Sequence, residues 1–543
     1  MQSPGWAQSS YYALVRAMSN GTAEIDPYHW ETKDKSWIDG KFYSVKAPGL
    51  PAAVLPAYMA LDAAGFSDLS GRVGRKVIAD GVREWYLHPA PMMNAGFDRA
   101  RARALPVQVA EGQTMIWALG LIGSLLPAIL IMLLVRRLAD EIQPGTGAVS
   151  GLALGLGTLL LPFSVQLMGH LLSALMLFAA FLLLMRERHG PQKFGLVFAA
   201  GALAGLSVVV EYPIAFGGAA IGLYAMLRAG SSVAQALGRA ASYGAGAVVG
   251  AIPVGLYNWW AFGSPATMSY SAAVAVQGRT GHEKLGLNDK GFFGIGVPKP
   301  ANLLELLLAP RGLLTCTPVV LAAIFGVVLM HRDGRKAEAR TVLGIAALYL
   351  IYVSGYWLPF GGGTPGPRFL IPAIPFLGLG LPYAWRRIPA TTLVLALAGA
   401  TVMTAATITF PLTGADGIWR WWRRITHGHF QQTVFTAMGM GDGYRAILPT
   451  VLLLGLACLL AAIATYGIDF KRDVVIAIAS LAGWLAVVNL FSANLNEHAG
   501  DLVLKAVKLP TQLTFAAAGI AVAGLLVALV ASRRSAPGAQ LIE

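Results

Sequence analysis

About thirteen stretches of this chain carry little charge, and each is close to the roughly 17 to 25 residues that cross about 30 Å of hydrocarbon at ~1.5 Å per residue. They lie at 115–135, 146–163, 169–185, 194–210, 213–228, 241–260, 313–330, 341–357, 369–385, 390–410, 447–467, 474–491 and 512–532. Of the 543 residues, 56% are hydrophobic and 13% charged, with a mean hydropathy of +0.61. A soluble domain could not keep that much apolar surface from water. The expected fold class is an all-α polytopic membrane protein.

Cationic residues orient the spans. Arg136/Arg137, Arg186/Arg188, Arg228/Arg239, Arg332/Arg335/Lys336/Arg340, Arg386/Arg387, Lys471/Arg472 and Arg533/Arg534 fall at alternate, short connections, the pattern of cytoplasmic loops. The opposite connections, 261–312, 358–368, 411–447 and 492–513, are longer and are assigned to the outside; loops that long in a compact fold tend to carry function.

Parity then places residues 1–114 outside as well, which implies a first transmembrane helix missing ahead of the given start. Residues 50–64 hold two prolines and are too short for a comfortable span, so a helix on the outer membrane face is expected there. The expected organisation is an outer region at 1–114, a transmembrane core at 115–410, an outer loop at 411–446 and C-terminal helices at 447–543. Within the first region, 66–113 is soluble in composition and arginine-rich, and suits a cover over a site or a recruiter of acceptor.

The two cysteines, Cys316 and Cys458, are too few for a disulfide framework or a metal cluster. The net charge of +14 lies partly on the cytoplasmic flanks, where it favours anionic lipid and implies no nucleic acid partner. Phosphate loops, zinc spacings, serine elbows and dinucleotide fingerprints are absent, so no cofactor is expected. The GLALGLG run at Gly151 reads as close helix packing.

Polar chemistry collects at the front. Residues 10–56 mix the acids Glu24, Asp26, Glu31, Asp34 and Asp39 with Lys33, Lys35, Lys41, Lys46 and several aromatics. Mixed charges of this kind usually pair with one another in a solvated loop, but three acids and one lysine stand out.

Asp26 precedes Pro27, in extended or turn backbone where a short carboxylate can be aimed; it is a candidate catalytic base, with an Asx turn or helix cap as the alternative. Asp34 lies between two lysines that would hold it ionised and is the second candidate. Asp39 precedes Gly40 and reads first as a turn. Lys46 heads KAPG, whose Pro and Gly would fix a turn and set an ammonium at headgroup depth; snorkelling to lipid headgroups is its alternative role.

Ionisable groups inside the bilayer cost roughly 2.5 to 3.5 kcal/mol on insertion scales, so each is a functional candidate. His170 starts a span, and Glu211 ends another beside Tyr212 and Pro213. Both should face one cavity, or else bond helix to helix. Arg368, just before a span, suits forked phosphate binding as well as capping or headgroup contact. Tyr43 and other outer-side aromatics, among them Trp30, Trp37, Tyr257, Trp259, Trp260, Phe292, Phe293, Tyr356 and Trp357, suit the interfacial belt, and some could stack on sugars. WRWWRR at 419–424 reads as an amphipathic surface anchor.

Taken in order, YALVRA, EIDPY, KDK, DGKFYSVKAPG, PFSVQLMGH, EYP, YNWWAFGSP, GFFGIG and GGGTPGPRFLIPAIPFL resemble the GT-C class of polytopic glycosyltransferases. The resemblance covers most of the chain and is closest to the branch of protein O-mannosyltransferases and aminoarabinose transferases, through bacterial relatives. It implies a bacterial cytoplasmic membrane location, a polyprenyl phosphate-linked sugar donor, an envelope glycan, lipid or protein acceptor, and inverting transfer on the outer face. Such transfer needs a carboxylate for the acceptor's proton and cations for the departing phosphate.

Within that resemblance Lys46 is similar to the lysine of a Lys-Pro-Pro element that contacts the lipid phosphate, with Ala47 intervening here before Pro48. The family's Asp-Glu pair ahead of its first surface helix, which residues 11–18 resemble, is replaced by Gln8 and Ser9. The base would then have moved to Asp26 or Asp34. A transporter of lipid-linked sugar and a catalytically inactive assembly protein are the alternatives; a transporter should place its ionisable groups midway along paired, broken helices.

Overall fold

The computed structural model describes residues 4–79, 99–228, 231–272, 294–412, 414, 416–437, 443–453, 456, 465, 468–492 and 512–534. The apolar runs form helices because lipid offers backbone N–H and C=O groups no partner outside the segment itself. Seven described helices are long and apolar enough to cross a membrane: Ala104–Ile142, His170–His189, Val233–Phe262, Lys336–Gly355, Pro389–Ile408, Phe470–Leu490 and Gln512–Ala531. Two pairs bent at a short break, Gly49–Ala63 with Phe66–Ala79 and Pro300–Cys316 with Val319–Arg332, raise the count to nine if each is one span. The chain is an all-α, multi-pass membrane protein.

Three of the thirteen expected stretches form shorter apolar helices, Gly147–Gly157, Phe194–Val210 and Tyr212–Met226. Glu211 and Pro213 part the second from the third, because Pro213 has no N–H to continue the ladder. Most of 447–467 lies outside the described residues, as do Cys458, Phe292 and Phe293.

At the front, α1 (Trp6–Ser19) is buried along most of its length. A hairpin follows, β1 (Lys35–Ile38) and β2 (Lys41–Ser44), antiparallel with Ser36 opposite Tyr43 and Trp37 opposite Phe42. Its two turn residues are Asp39 and Gly40, at φ of 48° and 85°, the left-handed pair that an Asp-Gly hairpin turn requires. Asp39 is thus the turn residue its sequence context indicates.

The helix α2 (Gly49–Ala63) packs Leu50, Val54 and Tyr58 against Tyr11, Tyr12 and Val15 of α1, together with Met115, Ile116 and Leu119. Beyond α3 (Phe66–Ala79), those last three residues belong to α4 (Arg99–Gly120), which continues through a π turn at Leu121–Leu125 into α5 (Leu126–Ile142). The expected boundary at 114 therefore falls inside one unbroken helical run. Burial of its apolar residues against α1 and α2 draws the described part of the insert into the helical body.

Then come α6 (Gly147–Gly157), α7 (Leu160–Ser164), α8 (His170–His189), α9 (Phe194–Val210), α10 (Ala215–Met226) and α11 (Val233–Phe262). The glycines of α6 do admit close packing: a Cβ at Gly151 would stand 3.0 Å from the Met132 carbonyl of α5. One end of this helical body is held by two buried carboxylates and their partners. Glu187 on α8 meets Arg239 of α11 at 2.5 Å and Arg228 at 3.0 Å, while Glu338 meets His189 at 3.0 Å and Arg188 at 3.5 Å.

Arg239 is therefore no solvent-facing flank. It is 1% exposed, and its buried guanidinium donates to Glu187 and, from Nε at 2.6 Å, to the Ala225 carbonyl. His170 begins the helix that Glu187 nearly ends, about 25 Å away at ~1.5 Å per residue. The Glu187 cluster and His170 thus occupy opposite ends of α8.

Candidate functional site

Beside the front hairpin lies a cavity of about 560 Å³ whose wall includes Gln8, Tyr11, Asp34, Lys46, His170, Glu211, Tyr212 and Arg368. Three separate parts of the chain supply its charged groups, Asp34 with Lys46, Glu211 and Arg368, and His170 comes from a fourth. Trp6, Tyr270, Tyr352, Tyr356 and Trp357 add aromatic surface.

Lys46 and Asp34 arrive through the hairpin. The Ser10 hydroxyl donates to the Asp34 carbonyl at 2.5 Å and lies 2.7 Å from the Ser44 hydroxyl, which accepts from the Lys46 N–H at 3.1 Å. Thr32 Oγ1 accepts from the Asp34 N–H at 2.9 Å. With both backbones fixed, Lys46 Nζ comes 2.6 Å from Asp34 Oδ2. The flanking lysines expected to act on Asp34 have other neighbours: Lys33 Nζ lies 4.4 Å from the Trp6 ring centre, and Lys35 Nζ donates to the His29 carbonyl at 2.8 Å.

Gly49 sets the hairpin against the next wall. A Cβ there would stand 2.6 Å from the Val209 carbonyl, so only glycine allows α2 to reach the end of α9 this closely. That contact brings KAPG beside Glu211. Glu211 Oε1 accepts from the Tyr11 hydroxyl at 2.9 Å and lies 3.4 Å from His170 Nδ1. Burial, with the Glu211 charge adding to it, raises the Tyr11 phenol well above its ordinary range, so it remains the donor of that bond.

Arg368 comes from the loop after α15 (Lys336–Gly355), which follows α12 (Pro300–Leu308), α13 (Leu313–Cys316) and α14 (Val319–Arg332). Arg311, buried and absent from the sequence candidates, donates to the Gly362 carbonyl at 2.6 Å and the Thr364 carbonyl at 3.0 Å, pinning this loop. Gly361 has φ +74°, and a Cβ on it would collide with the Arg368 side chain. The guanidinium carbon lies 5.0 Å from the Phe369 ring centre, and its buried Nε has no hydrogen-bond partner among the described residues. A buried donor left unmatched beside a cavity suits an anionic ligand.

Two candidates fall elsewhere. Asp26 does not line the cavity: its Oδ2 accepts from the Phe42 N–H of β2 at 3.1 Å, a tie to the hairpin 16 residues on and neither an Asx turn nor a helix cap. Tyr43 turns toward Phe262, ring centres 4.9 Å apart, because alternation along β2 sends it to the face away from the cavity.

Gln8, where the resembled family has an acid, does line the cavity. Its amide is used structurally, donating to Gln166 Oε1 at 3.0 Å and accepting from the Gly5 N–H at 2.9 Å. Tyr11 and Arg311 were not singled out from sequence; Tyr11 lies one turn from Gln8 on α1, and that spacing is its signal. Among the described residues no group of three His, Cys, Asp or Glu side chains could hold a metal ion.

No protein-family model, curated protein or solved structure matches the chain.

Proposed function

We propose that this protein is a GT-C type, polyprenyl phosphate-sugar-dependent glycosyltransferase of the bacterial cytoplasmic membrane, acting on an envelope glycan, lipid or protein acceptor at the outer face. One observation carries the proposal. Two cations, Lys46 and Arg368, and two carboxylates, Asp34 and Glu211, converge on one aromatic-walled cavity, and inverting transfer needs both kinds of group.

The acceptor oxygen attacks C1 of the sugar, and the bond from C1 to the phosphate oxygen breaks with its electron pair leaving on the phosphate. Lys46 and Arg368 neutralise that charge. A carboxylate takes the acceptor's proton. The aromatic wall offers flat apolar surface to a sugar ring and an isoprenoid stem. Placement of these groups at one end of α8 and α15, away from mid-helix, supports surface chemistry over transport.

The test offers radiolabelled polyprenyl phosphate sugars to purified protein in lipid nanodiscs, with envelope extract as acceptor. Wild-type transfer that falls at least tenfold in Lys46→Ala and Arg368→Ala is expected. Undiminished transfer in both variants, or no transfer and no binding with any donor, would overturn the proposal.

A further inference from the structure

We propose that Glu211, positioned by Tyr11 and His170, is the carboxylate that takes the acceptor's proton; this rests on the transferase reading above. The front-loop acids are otherwise engaged. Asp26 holds the Phe42 N–H away from the cavity, Glu31 pairs with Arg16 at 2.5 Å, and Glu24 pairs with Lys41 at 2.9 Å. Asp34 does line the cavity, but the Lys46 ammonium lies 2.6 Å from it, and a carboxylate bridged to an ammonium is a weak proton acceptor.

Glu211 differs in its neighbours. Those nearest to its carboxylate are a phenol at 2.9 Å and an imidazole at 3.4 Å, while Arg368 and Lys46 act on it at longer range. Burial raises its pKa above the ordinary carboxylate range, against the opposing pull of Arg368, the Tyr11 hydrogen bond and Lys46. The same two cations act on His170, so the proton acceptor and the groups that receive the leaving phosphate share one electrostatic neighbourhood.

The bonds balance as follows. The acceptor O–H proton passes to a Glu211 oxygen as the new bond from acceptor oxygen to C1 forms, and the polyprenyl phosphate departs with the electron pair of the broken bond. Glu211 then returns the proton to solvent. Tyr11 and His170 are positioning residues that fix the carboxylate's aim. Asp34 serves as the counter-ion of Lys46 until a donor phosphate takes its place.

The experiment measures kcat and donor KM in nanodiscs for wild type, Glu211→Gln, Glu211→Ala and Asp34→Asn, with binding of the lipid-linked donor as the check on folding. Glu211→Gln is expected to lower kcat by about 100-fold or more, the usual weight of a general base, while donor binding persists. Added formate should restore part of the turnover of Glu211→Ala, and Asp34→Asn should act chiefly on donor KM. Turnover of Glu211→Gln within threefold of wild type, in protein whose Lys46→Ala variant is impaired, overturns the assignment of the base and leaves the transferase reading standing. A wild type that neither binds nor turns over any donor overturns both.

Discussion

The ammonium of Lys46 lies 2.6 Å from the carboxylate of Asp34, and each side chain is only 15% exposed. The pair sits in the cavity wall, so a phosphate that approaches Lys46 must share it with Asp34 or displace it. Anion binding here is an exchange of one partner for another, and its strength depends on how tightly Asp34 holds on.

Removing Asp34 should therefore help the anion. Asp34→Asn is expected to bind undecaprenyl phosphate several-fold more tightly than wild type, and Lys46→Ala at least tenfold more weakly, by titration in nanodiscs at fixed salt. Weaker binding in Asp34→Asn would show that Asp34 orients Lys46 for phosphate, contrary to exchange.

Gly361 should matter because of the arginine it accommodates. Its φ of +74° strains any side chain, and a Cβ would meet Arg368. Gly361→Ala is expected to push the guanidinium aside and lower donor affinity nearly as far as Arg368→Ala does. Gly145, at φ +85° with nothing near its Cβ position, gives the control: Gly145→Ala carries similar backbone strain and should leave donor affinity alone.

How far the sequence foretells this site depends on how local each residue's job is. Asp39 and Gly40 are legible because an Asp-Gly turn is decided by two residues. Lys46, Asp34, Glu211, His170 and Arg368 are legible as charges beside apolar spans, where only function or pairing keeps them. Their partners are not legible: Asp34 meets Lys46, twelve residues on, because the strands and turn between them fold back. Arg239 looks like a loop cation until Glu187, 52 residues earlier, is found beside it. Span number is obscured by the same cause, since hydropathy registers apolar length but not bends such as the 86° break before Val319.

Asp26 gives a prediction of the opposite kind. Because its carboxylate caps the Phe42 N–H and lies off the cavity, Asp26→Ala should cost about 1 kcal/mol of stability and leave kcat unchanged. Thermal unfolding alongside turnover checks this; a large fall in kcat with an unchanged melting temperature would restore Asp26 as a catalytic candidate.

The buried pair of Glu187 and Arg239 should behave asymmetrically. Breaking it by Arg239→Met leaves a carboxylate that is 0% exposed with Arg228 as its remaining guanidinium partner, at a cost of about 3 to 5 kcal/mol. The double variant Glu187→Gln with Arg239→Met removes both charges and should recover much of that loss. Unfolding in detergent measures the difference, and a double variant no more stable than the single one would mean that the pair's hydrogen bonds, rather than an uncompensated charge, set the cost.

Lys35 supplies a pH dependence. Its ammonium is fully buried, between the His29 ring nitrogen at 3.1 Å and the His29 carbonyl, and burial lowers its pKa from 10.5 to about 7. Between those values the unfolded chain binds a proton that the fold has released. This lysine therefore makes the fold more stable as pH rises from about 7 toward 10.5, and adds no slope below pH 7, where both states are protonated. The melting temperature of wild type should climb between pH 7 and pH 9 relative to that of Lys35→Met, which keeps the volume and lacks the titration. Parallel pH profiles for the two proteins would mean that Lys35 remains charged inside the hairpin, held by the His29 carbonyl and by the Phe42 ring, whose centre lies 4.9 Å away.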